Sequence, residues 1–134
     1  MPAIIITTVE GRTIQEKQEM MSVVTDAVAR VMDRDKEVIR VIINEIRPEN
    51  YSLAGISFND RRLSKDPIDT KNDVMLEIRI KAGRTPESVD SISDQLMAAV
   101  TDHPAFANGD IRVIVTELPD ENFKVKFYSW KPKA

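Results

Sequence analysis

Two regimes of apolar spacing follow each other twice along the chain. Ala3 to Val9 is dense in Ile, Thr and Val and reads as a strand with apolar residues on both faces, which Gly11-Arg12-Thr13 brings to an end. Thr13 followed by Glu16 spells a capping box, in which hydroxyl and carboxylate each satisfy an orphan backbone N–H, so a helix is predicted to start there. Met20, Met21, Val24, Ala27, Val28 and Val31 then recur at helical spacing to about Met32, and Asp33-Arg34-Asp35-Lys36 breaks the pattern. Val38 to Ile46 is a second β-branched run. A helix between two neighbouring strands predicts a parallel, right-handed connection. The sense then repeats: Val74 to Ile80 as strand, Thr85 as N-cap with Pro86 at the first helical position, and Val89, Ile92, Leu96, Ala99 and Val100 as an apolar stripe stopped by His103-Pro104.

The repetition is literal. An offset of 72 sets Gly11-Arg12-Thr13 on Gly83-Arg84-Thr85, Ile39-Arg40-Val41-Ile42 on Ile111-Arg112-Val113-Ile114, and Glu49-Asn50-Tyr51 on Glu121-Asn122-Phe123. The expected fold is therefore α/β: a duplicated β-α-β unit forming a four-stranded mixed sheet with two helices on one face. A chain of 134 residues has room for one core, so residues 1–134 are expected to form a single domain of two repeats, 1–56 and 74–134, joined by 57–73 with its Pro67. Ile56-Ser57-Phe58 is a candidate short strand within that region. Ile4 and Ile6 alternate with Ala3 and Ile5, so the face away from the helices also needs a cover, and self-association supplies one.

Charge and composition narrow the partners. A net charge of −3 with interspersed signs argues against nucleic acid. The absence of cysteine and the single His103 exclude disulfides, thiolate sites and a His-rich metal centre, and no cofactor or metal is expected. No apolar run approaches membrane-spanning length, and MPAIIITTVEG has no basic region leading into a long apolar one, so a cytoplasmic protein without membrane partners is expected.

Pro2 is the first candidate for chemistry. Removal of Met1 would leave a secondary amine, and desolvation with nearby cations would lower its pKa from about 8 toward one suited to proton transfer at neutral pH. Pro2 and Arg12 end one extended segment and stand about 30 Å apart, too far to grip one small substrate. If strands 3–9 and 75–81 run antiparallel, Arg84 becomes the natural partner of Pro2 and Arg12 lies beside Val74. Val74 is the positional equivalent of Pro2, sits in mid-chain and can supply no amine, so one competent site per chain is expected. Arg40 and Arg112, opening the outer strands, are candidate ligand contacts or solvated strand ends; Tyr51 and Phe123 are pocket or core aromatics. Met20, Met21, Met32 and Met97 read as core fillers, and His103 as a turn residue.

Met1-Pro2, Glu10-Gly11-Arg12-Thr13, Val38-Ile39-Arg40-Val41-Ile42-Ile43-Asn44-Glu45 and Pro48-Glu49-Asn50-Tyr51 together resemble the tautomerase superfamily, especially 4-oxalocrotonate tautomerase, across residues 2–55, with a less complete match across 74–123. The resemblance implies a tautomerase/MIF-like fold and a cofactor-independent isomerase in which Pro2 shuttles protons between enol or dienol and keto forms of a small carboxylate. It further implies Arg84 and Arg112 as catalytic partners, drawn from a neighbouring chain, and Arg12, Arg40, Tyr51 and Phe123 as substrate-binding positions, with Arg12, Arg40 and Tyr51 around Val74. A homotrimer is the implied assembly. Decarboxylase or hydratase chemistry on the same scaffold and a non-catalytic oligomeric scaffold are the alternatives. Two departures stand out. Ala82 replaces the motif glutamate, and the Gly-rich tail that forms a small hairpin in short family members is here Ser52-Leu53-Ala54-Gly55 in one half and Lys124-Val125-Lys126-Phe127 in the other, so subunit edges are expected to pair differently. Arg61-Arg62 have no derivable place.

Overall fold

The computed structural model describes residues 2–64, 73–101, 103–106 and 109–128. The later part of the join, with Pro67, and the last six residues of the second repeat lie outside the described residues. The elements are β1 (Ala3–Val9), α1 (Ile14–Met32), β2 (Arg40–Ile46), β3 (Ser52–Leu53), β4 (Ile56–Ser57), α2 (Phe58–Arg62), β5 (Val74–Lys81), α3 (Pro86–Thr101) and β6 (Ile111–Leu118).

The sheet runs β2-β1-β5-β6, with both outer pairs parallel and the central pair antiparallel. Its register carries the duplication into space. Ala3 faces Arg40 in the first parallel pair and Met75 faces Arg112 in the second, the same positions one repeat apart. The central pair sets Ala3 against Arg79 and Thr8 against Val74, so the start of each inner strand lies beside the end of the other.

Helix α1 starts where the capping box requires it: Thr13 accepts from the Glu16 N–H while the Glu16 carboxylate accepts from the Thr13 N–H. Strand β2 begins two residues later than its β-branched run, because Asp35 caps a 3₁₀ turn over Lys36–Val38 that delivers Val38 and Ile39 into the core. His103 is a turn residue, its Nδ1 accepting from the Ala105 N–H at 3.1 Å.

The core lies between the helices and one face of the sheet. Ile4 and Ile6 of β1, Leu76 and Ile78 of β5, Met20, Val24 and Val28 of α1, and Ile92, Leu96 and Val100 of α3 meet there, each side chain contributing about 1.5–3 kcal/mol by leaving water. Met20 and Met32 fill this core, whereas Met21 and Met97 stay half-buried. The opposite face is less apolar than the alternation of β1 implies. Ile5, Met75, Ile42 and Ile114 share it with Glu77, Arg79 and Thr116, and the Thr116 hydroxyl donates to Glu77 at 2.8 Å. Ile42 is 57% exposed.

The first-half hairpin is kept despite its reduced glycine content. β3 and β4 pair antiparallel, and Ala54 joins Gly55 at positive φ, 55° and 78°, to make the two-residue turn that matches strand twist. The described residues 123–128 form no strand. Arg61 closes the hairpin by donating to the Leu53 carbonyl at 2.6 Å, and Arg62 donates to the Glu10 carbonyl at 2.9 Å. No helix among the described residues is long and apolar enough to cross a membrane.

Candidate active site

Parallel pairing places Arg40 next to the first residues of β1, where its backbone N–H points to the Pro2 carbonyl at 3.5 Å. Pro2 is buried and lines a cavity of about 270 Å³ together with Arg40, Val38, Phe123 and Lys126. The Arg40 guanidinium donates to the Glu37 carbonyl at 2.9 Å, which fixes its reach without neutralising its charge. Arg40 and Lys126 thus both line this half-open cavity with Pro2, and among its described lining residues none is acidic.

The other end of the sheet holds the equivalent set. Arg112 stands against Met75, its Nη1 3.4 Å from the Asp73 carboxylate, and Tyr51 faces the same carboxylate. Burial first, then the hydrogen bond to Asp73 and its charge, push the Tyr51 phenol above its ordinary pKa, against the opposing pull of Arg112. Phe58, fully buried, packs on Tyr51 with ring centroids 4.8 Å apart. Arg12 is only 7% exposed and donates to the Thr8 hydroxyl, which in turn donates to the Asp73 carbonyl at 3.1 Å.

One chain therefore groups the candidate residues as Pro2 with Arg40 and Phe123, and Val74 with Arg12, Arg112 and Tyr51. Within one chain Arg40 lies at the Pro2 end and Arg112 at the Val74 end, because each outer strand runs parallel to its own inner strand and starts at the same end. Arg12 does lie at the Val74 end. Arg84 leaves the end of β5 that adjoins the start of β1, but its guanidinium turns to the Ser88 hydroxyl at 3.4 Å and lines a separate groove with Val89, Val113 and Glu117. The position equivalent to Thr8 is Ile80, which offers Arg84 no acceptor. Asp73 and Lys126 were not legible as site residues. Asp73 precedes a strand in a charged stretch, and Lys126 lies in a tail without periodicity.

The family model for tautomerase enzymes matches residues 2–61. A probable tautomerase of Staphylococcus aureus is 33% identical over 61 residues, which is 46% of this chain and 100% of the relative. The chain belongs to the tautomerase family. Less than half of this chain accounts for an entire short tautomerase, in keeping with a fused pair. The fold of this tautomerase agrees with that of a wild-type fused 4-OT described as an asymmetric trimer, at TM-score 0.69 and 18% identity over 92% of this chain and 91% of the other. It agrees equally with a malonate semialdehyde decarboxylase inhibited by 3-bromopropiolate, at TM-score 0.68 and 18% identity over 95% and 91%.

Proposed function

We propose that this tautomerase interconverts enol or dienol and keto forms of a small carboxylate, with Pro2 as the acid/base group once Met1 is removed. The observation that carries this reading is the cavity in which Pro2 meets Arg40 and Phe123. A neutral Pro2 amine takes the proton of the substrate hydroxyl. As the oxygen lone pair forms the carbonyl and the double-bond electrons move to carbon, the prolinium returns a proton there. Arg40 holds the carboxylate through charge-assisted donors. Phe123 gives the substrate's apolar stem a wall and limits water.

Arg84 and Arg112 enter this reading only through a neighbouring chain, as does the homotrimer, which the mixed and partly apolar open face of the sheet supports. Hydration needs a carboxylate to activate water, and the described lining of the cavity has none, which favours the tautomerase over the hydratase reading.

The test has two steps. Intact mass is expected to show loss of Met1. Ultraviolet assay of a 2-hydroxy-dienoate is then expected to show ketonisation that Pro2→Ala abolishes almost entirely. Retention of Met1, or full turnover by Pro2→Ala, overturns the assignment.

A further inference from the structure

Duplication leaves two equivalent ends, and they differ in more than the identity of Pro2 and Val74. The register puts Arg112 where Arg40 stands and Tyr51 where Phe123 stands. At the Pro2 end these residues line an open cavity. At the Val74 end they close on a carboxylate that belongs to the chain itself. Asp73 is the residue equivalent to Met1, its side chain is 16% exposed, and its Oδ1 lies 3.4 Å from Arg112. Its backbone is held in place by the Thr8 hydroxyl, itself bonded by the buried Arg12.

We propose that the Val74 end is a carboxylate-binding site occupied internally: Arg112 and Tyr51 bind the Asp73 side chain as they would a small carboxylate, which closes the second half of the duplication to anions. A half-exposed guanidinium beside a phenol whose ring packs on the buried Phe58 offers two charge-assisted donors to one carboxylate. A tethered carboxylate reaches those donors at an effective concentration that a free anion in millimolar solution does not match. The other charged group acting on Tyr51 is Asp110, which repels further anions and strengthens the exclusion. The inference concerns binding at the Val74 end and stands whether or not Pro2 proves catalytic.

The probe is acetate, which reproduces the carboxylate that Asp73→Ala removes. In an NMR titration at neutral pH, the Tyr51 ring and Arg112 side-chain signals of the full chain carrying Asp73→Ala are expected to shift saturably with acetate. The apparent Kd should be at least ten-fold tighter than at the same signals of the parent. The double variant Asp73→Ala/Arg112→Ala is expected to lose that response. Equal acetate responses in parent and Asp73→Ala, or a response that survives removal of Arg112, overturn the proposal. Should Asp73→Ala fail to fold, the isosteric Asp73→Asn gives an independent reading. The chain has two tyrosines, so a Tyr128→Phe background leaves Tyr51 alone to titrate. Its phenol midpoint is expected to fall when Asp73 becomes Asn, and an unchanged midpoint overturns the proposal.

Discussion

The Arg12 guanidinium donates to the hydroxyl of Thr8, a bond the second half cannot copy because its equivalent position is Ile80. The arginine that has this hydroxyl beside it folds inward at the end of an inner strand, and the one that lacks it turns out toward its helix. Replacing Thr8 by Val keeps the shape and removes the acceptor beside a buried cation. Chemical denaturation of Thr8→Val is expected to show a loss of about 1.5–3 kcal/mol, the range for hydrogen bonds to charged groups.

Among the arginines, Arg40 is expected to matter most at the Pro2 cavity. Arg40→Ala should lower kcat/KM for a dienol carboxylate about ten- to a hundred-fold, the kinetic equivalent of one charge-assisted contact. Arg12→Ala should act mainly on stability. If Arg112→Ala proves as damaging to turnover as Arg40→Ala, a neighbouring chain delivers Arg112 to the cavity.

On the open sheet face, hydrogen bonds from Thr116 and then Arg79 hold the Glu77 carboxyl below its ordinary pKa. A depressed folded pKa contributes stability that is present above the unfolded carboxylate value and lost as pH falls through the folded one. Thr116→Val is therefore expected to destabilise the chain by about 1 kcal/mol near neutral pH, at the low end because the pair is partly solvated. The difference from the parent should vanish in strongly acidic solution. Thermal melts across that pH range check it.

In the hairpin, Ala54 occupies a left-handed conformation at φ 55°. Ala54→Asn creates the Asn-Gly pair preferred in such turns and is expected to raise Tm slightly. Gly55→Ala meets no neighbouring atoms yet must hold φ at 78°, so it is expected to cost about 1 kcal/mol through backbone strain alone.

The strands, both long helices and their caps were legible because periodicity and capping chemistry are local. Thr13 with Glu16 and Pro86 mark helix starts that need no tertiary information. The duplicated register was equally readable, since two halves with the same residues at the same spacing must pair alike. What escaped was side-chain direction at the ends of the sheet. Arg12 and Arg84 share a motif, yet one is buried and the other turned out, a difference set by a residue on a strand and not by the motif. The hairpin survives the loss of glycine because an alanine can take the left-handed position at modest cost when the strands on either side fix it. Asp73 was missed for a related reason: its partners Arg112 and Tyr51 lie 39 and 22 positions away, and only the sheet brings them together.

The central strand pair implies something about how such a chain could arise. Ile4 lies against Ile78 and Ile6 against Leu76, and Ile78 and Leu76 are the counterparts of Ile6 and Ile4. Reduced to a single repeat, the same pairing would set Ile4 of one copy against Ile6 of another about a two-fold axis through Ile5. A free half would thus meet its own β1 edge as a matching partner, and joining two halves changes no strand contact at that seam. Fusion at this seam replaces a concentration-dependent encounter with a tether, and it frees each half to mutate without imposing the same change on its twin.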